Sequence, residues 1–180
     1  MKPLADIRKC SLPEIEQFFR NQHHHAFRAK QVYEWLWQKQ AHSFSSMTNL
    51  SKEIRALLNE HFVIHAIREE QVQKSADGTI KMAFRLYDGN LVEGVLIPQG
   101  KRMTACISSQ VGCSLTCSFC ATGKLGRIRN LEAAEIFDQV VAIRNIASEH
   151  YDCPLTNIVY MGMDYGFNGR HCKNDQKTGR

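Results

Sequence analysis

The spacing of hydrophobic and polar positions changes once along the chain, and the first third has helical spacing. Ser11 and Glu14 form a capping box that opens the first predicted helix. A second helix is predicted over about 26–39, and Ser51 is the expected cap of a third. Because three amphipathic helices can bury one another, we expect an N-terminal helical domain over residues 1–62.

The spacing then becomes alternating, which is typical of strands. Asp77-Gly78 and Asp88-Gly89 are strong hairpin turn signals, and they separate three alternating runs near residues 67–74, 79–87 and 91–97. The pattern predicts a small antiparallel β-meander over residues 63–98.

The following segment combines strand and helix signals. A strand is predicted over 103–109, an amphipathic helix over 131–148 and a short buried parallel strand over 158–161. Strand, helix and parallel strand make one βαβ unit, the first step of a (β/α) barrel, over residues 99–163. Residues 164–180 are polar and lack any period, so we expect a disordered tail. The predicted fold class is α/β.

Composition narrows the class of protein. The chain is 43% hydrophobic and 23% charged, which favours a folded chain over a disordered one. It has no apolar run long enough for a membrane span and no signal-peptide core, so we expect a cytoplasmic protein. A formal net charge of +5 permits a polyanionic partner without requiring one.

Three of the seven cysteines have the spacing of a metal site. Cys113, Cys117 and Cys120 form a C-x3-C-x2-C motif, which lets a short loop direct three thiolates at one centre. Three thiolates suit a four-iron, four-sulfur cluster with one open iron. A structural zinc site is an alternative, but it normally draws four ligands from two separated pairs. Burial of the cysteines as small apolar residues is the other alternative.

The residues around this motif carry a family resemblance. An aromatic residue, Phe119, precedes the last cysteine, as in radical S-adenosylmethionine enzymes. The flanking strings ISSQVG, ATG and RNL, over residues 107–112, 121–123 and 129–131, are similar to those of the RlmN/Cfr group. That group methylates an adenine carbon in 23S ribosomal RNA, and its RlmN-type members also methylate a tRNA adenine at C2.

The resemblance implies two cofactors and a fold. The cofactors are a [4Fe-4S] cluster, held by Cys113, Cys117 and Cys120, and S-adenosylmethionine. Phe119 would pack against the adenine of the latter, although ordinary loop packing explains an aromatic residue there nearly as well. The fold would be a partial (β/α)6 barrel, incomplete in this chain.

The resemblance also implies two catalytic residues. Cys106 corresponds to the cysteine that resolves a covalent enzyme–RNA intermediate, by forming a disulfide with a second, methyl-carrying cysteine. Glu93 corresponds to a glutamate proposed to accept a proton from the adenine carbon. Without the resemblance, Cys106 would be read as a buried strand cysteine and Glu93 as an exposed strand residue.

The function implied is methylation of adenine C2 in 23S rRNA and tRNA through a methyl-cysteine intermediate. C8 methylation of the Cfr type and a non-catalytic, metal-containing RNA-binding module remain alternatives. The implied partners are 23S rRNA, tRNA and an electron donor such as a flavodoxin, and we expect a monomer with no membrane association. The basic residues Lys124, Arg127 and Arg129 could contact RNA phosphates or form a solvated face.

The resemblance ends at Met163. Members of the group continue from Met-Gly-Met with Gly-Glu-Pro, whereas Asp164 and Tyr165 follow here. The methyl-carrying cysteine cannot be assigned in this sequence. We therefore expect a chain truncated after the second barrel strand and inactive by itself.

Overall fold

The computed structural model describes residues 4–113 and 126–161. Their hydrophobic side chains form two separate clusters. One gathers residues between Ile7 and Ile64 and the other gathers residues between Ile67 and Leu155. The change of spacing in the sequence therefore marks a change from one core to the other.

The three predicted helices are confirmed. They are α1 (Leu12–Asn21), α2 (Arg28–Trp37) and α3 (Lys52–His61), with short 3-10 turns at Ile7–Lys9 and Phe44–Ser46. The Ser11 backbone N–H donates to Glu14 Oε2 at 2.7 Å, and the Ser51 hydroxyl accepts from the backbone N–H of Ile54 at 3.3 Å. Both caps satisfy amide groups that a helix start leaves free.

The nine strands in the described part of the chain form one large sheet and two small pairs. Their bounds are β1 (Ala5–Asp6), β2 (Phe62–Val63), β3 (Arg68–Lys74), β4 (Ile80–Arg85), β5 (Leu91–Gln99), β6 (Arg102–Ser108), β7 (Gln110–Val111), β8 (Arg129–Asn130) and β9 (Asn157–Met161) among the described residues. The large sheet has the order β3-β4-β5-β6-β9. Its first four strands are antiparallel, and β6 pairs with β9 in parallel. The meander and the βαβ unit are thereby confirmed.

One face of this sheet is covered by α4 (Ala133–Tyr151). Buried residues of the helix, including Ile143 and Ala147, join a core with Phe84, Leu96 and Ile107 of the sheet. Gly94 lies where the helix comes closest: a Cβ atom there would be 2.9 Å from Ile143 Cδ1. On the opposite face, described residues of β5 such as Glu93 and Ile97 are exposed, and this is called the accessible face below.

The predicted boundary between residues 98 and 99 falls at the end of β5. Because β5 pairs with β6, the sheet runs through that boundary without a break. The domain limits 1–62, 63–98, 99–163 and 164–180 stay predictions, and residues 162–180 lie outside the described part.

The expectation that the last strand is buried is wrong. The exposed fractions of Ile158, Val159 and Tyr160 are 43%, 46% and 57%. Within the described residues β9 pairs only with β6, so it forms the edge of the sheet. No helix in the described ranges is long and apolar enough to cross a membrane.

A buried ion pair joins the two cores. Arg8 Nη1 donates to Asp138 Oδ1 of α4 at 2.8 Å, and Nη2 donates to the backbone oxygen of His65 at 2.7 Å. Asp6 accepts from the backbone amides of Arg8 and His65, at 2.9 and 3.2 Å. The helical domain is thus fixed to the helix that supports the sheet.

Candidate active site

Strand register brings two predicted catalytic residues together. In the β5–β6 pair, Gly94 lies opposite Ile107 and Val95 lies opposite Cys106. Side chains alternate along a strand, so Glu93 and Cys106 both point to the accessible face, away from α4. They are diagonal neighbours, which in an antiparallel pair lie about 7 Å apart. One side-chain hydrogen bond strengthens the pairing here, from Ser108 Oγ to the backbone oxygen of Glu93 at 2.8 Å.

Glu93 is exposed, and it forms an ion pair with Lys81. Its carboxylate is 53% exposed, and Oε1 lies 2.6 Å from Lys81 Nζ. Gln71, Gln73 and Ala83 line a small cavity of about 110 Å³ together with this pair. A carboxylate in this position can accept a proton from a group brought to the open face.

Cys106 is a free, half-buried thiol. Burial raises its pKa above the ordinary cysteine value. A thiol attacks as thiolate, and nearby positive charge usually favours that form. The position of Cys106 supplies access to the open face, but its surroundings disfavour the thiolate.

The cysteine loop begins and ends at a short antiparallel pair. Gln110 lies opposite Asn130 and Val111 opposite Arg129, which joins β7 to β8. The Ile128 backbone N–H donates to the oxygen of Val111 at 2.9 Å. The described residues on either side of the cysteine motif, 110–111 and 128–130, are therefore held side by side.

Gly112 permits this closure. Its φ of 72° lies in the left-handed region, and a Cβ atom there would be 1.8 Å from the backbone oxygen of Gly126. A side chain at this position is excluded by both conformation and space. Gly112 therefore makes the tight backbone turn that leads into Cys113.

Cys113 is the first residue after this turn, and its thiol is partly buried. Cys117, Phe119 and Cys120 lie outside the described residues. Gln110, 5% exposed, has no hydrogen-bond partner for Oε1 or Nε2 within the described ranges. A buried amide without a partner is costly, so this end of the loop has capacity for a polar ligand.

Arg129 is a structural cation. Nη1 and Nη2 each donate to a carboxylate oxygen of Glu135 at 2.8 Å, and Nε lies 2.6 Å from Asp88 Oδ2. The hydrogen bonds that Arg129 donates to Glu135 raise the pKa of Arg129 above its ordinary value. Burial opposes ionisation of Asp88, but hydrogen bonds from Arg129 and Asn90 outweigh it and lower the pKa of Asp88 to about 2. The sequence left open whether Arg129 contacts RNA phosphates or forms part of a solvated face. Phosphate binding is disfavoured, because the guanidinium nitrogens of Arg129 already donate to Asp88 and Glu135.

Gln139 of α4 supports the end of β6. It is fully buried, its Oε1 accepts from the Ser108 backbone N–H at 3.0 Å, and its Nε2 donates to the Ser108 oxygen at 3.1 Å. These bonds fix the strand end between Cys106 and the cysteine loop.

The sequence reasoning missed the supporting residues Glu135, Asp138 and Gln139. A signal for Gln139 existed, because it follows the apolar Ile136 by three positions and precedes Ile143 by four, on one helical face. A polar residue in an apolar stripe indicates a buried hydrogen-bond partner. No comparable signal marked Asp138 as the partner of Arg8, 130 positions away.

Comparison with known proteins gives a consistent result. The model of the "Ribosomal RNA large subunit methyltransferase N-terminal domain" matches residues 5–64. A probable dual-specificity RNA methyltransferase RlmN of Cytophaga hutchinsonii is 62% identical over 87% of this chain and 43% of its own length. The dual-specificity RNA methyltransferase RlmN of Pelobacter propionicus is 47% identical over 91% of this chain and 45% of its own length. The chain spans less than half the length of these relatives.

A solved structure shares the fold. The crystal structure of a radical SAM methyltransferase from Sphaerobacter thermophilus superposes with a TM-score of 0.71 at 37% identity, covering 88% of this chain and 47% of that one. Over the 87% of its length that aligns with the Cytophaga relative, this chain belongs to the RlmN family.

Proposed function

We propose that this chain provides part of the catalytic machinery of a radical S-adenosylmethionine methyltransferase that modifies C2 of an adenine in 23S rRNA and tRNA. The observation that carries the proposal is the shared accessible face of Glu93 and Cys106, at the sheet end from which the cysteine loop leaves. The RlmN-type relatives, named dual-specificity RNA methyltransferases, supply the substrate class.

The residues present fit the implied cofactors. Cys113, Cys117 and Cys120 are a donor set suited to a [4Fe-4S] cluster, and the buried amide of Gln110 has no partner among the described residues. When bound, the cluster and S-adenosylmethionine would supply the radical chemistry, while the protein supplies ligation and orientation. Phe119 is the proposed contact of the adenine ring.

Two residues of this chain have proposed catalytic roles, Glu93 as a proton acceptor and Cys106 as a thiol nucleophile. Glu93 accepts the proton that leaves the adenine carbon, and Lys81 holds its carboxylate ready for that transfer. Cys106 attacks, as thiolate, the sulfur of the methyl-carrying cysteine in the covalent enzyme–RNA intermediate. A disulfide forms while the bond between that sulfur and the carbon attached to the adenine breaks, and this carbon takes the electron pair and a proton to become the methyl group of the released RNA. Because burial raises the pKa of Cys106, the thiol must lose its proton to a base during the reaction.

The methyl-carrying cysteine is not assignable among the 180 residues. We therefore propose that this chain alone binds the cluster and RNA but does not complete methyl transfer. The electron donor, a flavodoxin-type protein by family resemblance, and the monomeric state are part of the same proposal.

The experiment has two stages. Anaerobic reconstitution of the purified chain with iron and sulfide should give about four irons per chain and broad visible absorption. Substitution of Cys113 by alanine should abolish this content. A single tightly held zinc would instead favour the non-catalytic module.

The second stage tests the position of methylation. Residues 4–161 of this chain replace their counterparts in the Cytophaga hutchinsonii relative, and mass spectrometry locates the methyl group on 23S rRNA and tRNA. C2 methylation is expected, and C8 methylation would contradict the proposal. Glu93→Gln keeps the shape of the side chain and should lower the rate by about 10²-fold or more, the usual contribution of a general base.

A further inference from the structure

A cleft in the helical domain is lined by residues that have no part in the candidate active site. It has a volume of about 790 Å³ and lies between α3, the 3-10 turn at Phe44–Ser46 and β2. Apart from Leu4, its lining residues lie within the span of the matched N-terminal family model, far along the chain from Glu93 and Cys106.

The polar side of the cleft is basic. Lys52 and Arg55 lie in the first turn of α3, one helical turn apart, and His42 of the preceding loop also lines the cleft. None of the described residues that line the cleft is acidic. Two cations without a carboxylate between them repel each other, and an anion would relieve that repulsion.

Arg55 has spare hydrogen-bonding capacity. Its Nη1 donates to the backbone oxygen of Ser45 at 2.7 Å, which fixes the direction of the guanidinium. Its Nε is buried and out of reach of a ligand, whereas its Nη2 has no hydrogen bond to any of the described residues. A fixed guanidinium with a free N–H is suited to a phosphate oxygen, which accepts charge-assisted hydrogen bonds.

Lys52 lies where it does not stabilise the helix. It is the first residue of α3, and the positive end of the helix macrodipole disfavours a cation there. The same dipole attracts anions, so helix and side chain would act together on a phosphate.

The other side of the cleft is apolar. Leu4 is 46% exposed, and the half-buried Phe62 continues this surface along β2. A basic wall beside an apolar surface matches a nucleotide, whose phosphate and base need opposite surroundings. A cleft of this volume exceeds what one inorganic phosphate needs.

We propose that this cleft binds a phosphodiester segment of the RNA substrate, with Lys52 and Arg55 on the phosphates and Leu4 and Phe62 under a base. The inference rests on the proposed function and adds a second RNA contact, separate from the catalytic face. It predicts that part of the salt dependence of RNA binding belongs to two residues of α3.

The test measures binding of the whole 180-residue chain to a fluorescent 23S rRNA hairpin and to tRNA over a range of salt concentrations. Lys52→Ala combined with Arg55→Ala should weaken binding about tenfold or more at low salt. The slope of log K against log salt should fall by about 0.7 for each lost contact to single-stranded RNA. Arg55→Lys keeps the charge, so it should retain the slope.

The matched control is Arg20→Ala, which removes one positive charge from α1 outside the cleft and should leave the slope unchanged. Circular dichroism must show that each variant keeps its helices, and Lys52→Ala alone should not lower the unfolding temperature.

The outcomes separate the two proposals. Binding by the wild-type chain that the double variant leaves unchanged would overturn the cleft assignment and keep the RNA function. Absence of RNA binding by the wild-type chain would overturn both. Titration with AMP and with inorganic phosphate tests whether the cleft binds small phosphate compounds instead. If either binds more tightly than RNA, the cleft is a small-phosphate site and the RNA assignment is overturned.

Discussion

Gly112 shows how one residue decides whether the cysteine loop can close. Gly112→Ala must place a Cβ atom against the backbone oxygen of Gly126, in addition to a left-handed φ. We expect a loss of stability clearly above the roughly 1 kcal/mol of the conformational term alone, and loss of iron after reconstitution. Thermal unfolding and iron content measure both.

Gly89→Ala is the matched control for that variant. Gly89 has a φ of 85° but no atom within 4 Å of an added Cβ. It should show only the conformational cost and keep its iron. Equal losses in the two variants would contradict the role assigned to the contact with Gly126.

Asp88 gives a residue-level prediction about pH. Its pKa falls from 3.8 to about 2 on folding, so folding favours the ionised form. Its stabilisation is complete above the unfolded value and is lost as pH falls toward 2. With the carboxylate 24% exposed, about 2 kcal/mol is an upper value. Urea unfolding between pH 6 and pH 2 should show this loss in the wild type and a smaller one in Asp88→Asn. Parallel curves would contradict it.

At the scale of elements, Gln139 connects α4 to the end of β6. Gln139→Leu fits an apolar side chain into the same space but leaves the Ser108 N–H and oxygen without their side-chain partner. A cost of about 2 kcal/mol is expected from buried backbone groups left unpaired. Hydrogen exchange should become faster at Ser108 and remain slow in the middle of β5.

Gln139→Glu provides the comparison, because it keeps an acceptor for the Ser108 N–H and loses only the donor. Hydrogen exchange at the Ser108 amide should therefore be slower in Gln139→Glu than in Gln139→Leu. Unchanged exchange in Gln139→Leu would show that β6 holds its end without α4.

At the scale of the whole molecule, Arg8 couples the two hydrophobic cores. Arg8→Met removes the cation between Asp6 and Asp138, whose side chains are 5% and 6% exposed. Leaving buried carboxylates without their partner costs about 3–5 kcal/mol. We expect calorimetry to show one unfolding transition in the wild type and two in Arg8→Met.

Lys9→Ala tests whether an exposed ion pair at this junction also couples the unfolding of the two cores. Lys9 and Glu132 also join the helical domain to α4, at 2.7 Å, but both side chains are 47% exposed. An exposed pair contributes about 0–1 kcal/mol, so this variant should keep one transition. Splitting in Lys9→Ala, or its absence in Arg8→Met, would contradict the assignment.

The elements themselves were predictable because their signals are local. The Ser11–Glu14 cap, the turns at Gly78 and Gly89 and the helical stripes each depend on residues a few positions apart. The motif of Cys113, Cys117 and Cys120 and the resemblance around it indicated the chemistry in the same way. The two-residue strands β1, β2, β7 and β8 escaped prediction because so short a run has no period.

The sequence by itself determined the order and kind of the main elements and the candidate chemistry of the cysteine loop. Only the tertiary structure decided that Glu93 and Cys106 share a face, that Arg129 is engaged by Asp88 and Glu135, and that Arg8 meets Asp138. These relations depend on strand register and on packing between distant segments. Chain spacing does not encode them, because hydrogen-bond partners far apart in sequence are selected only when the two cores assemble.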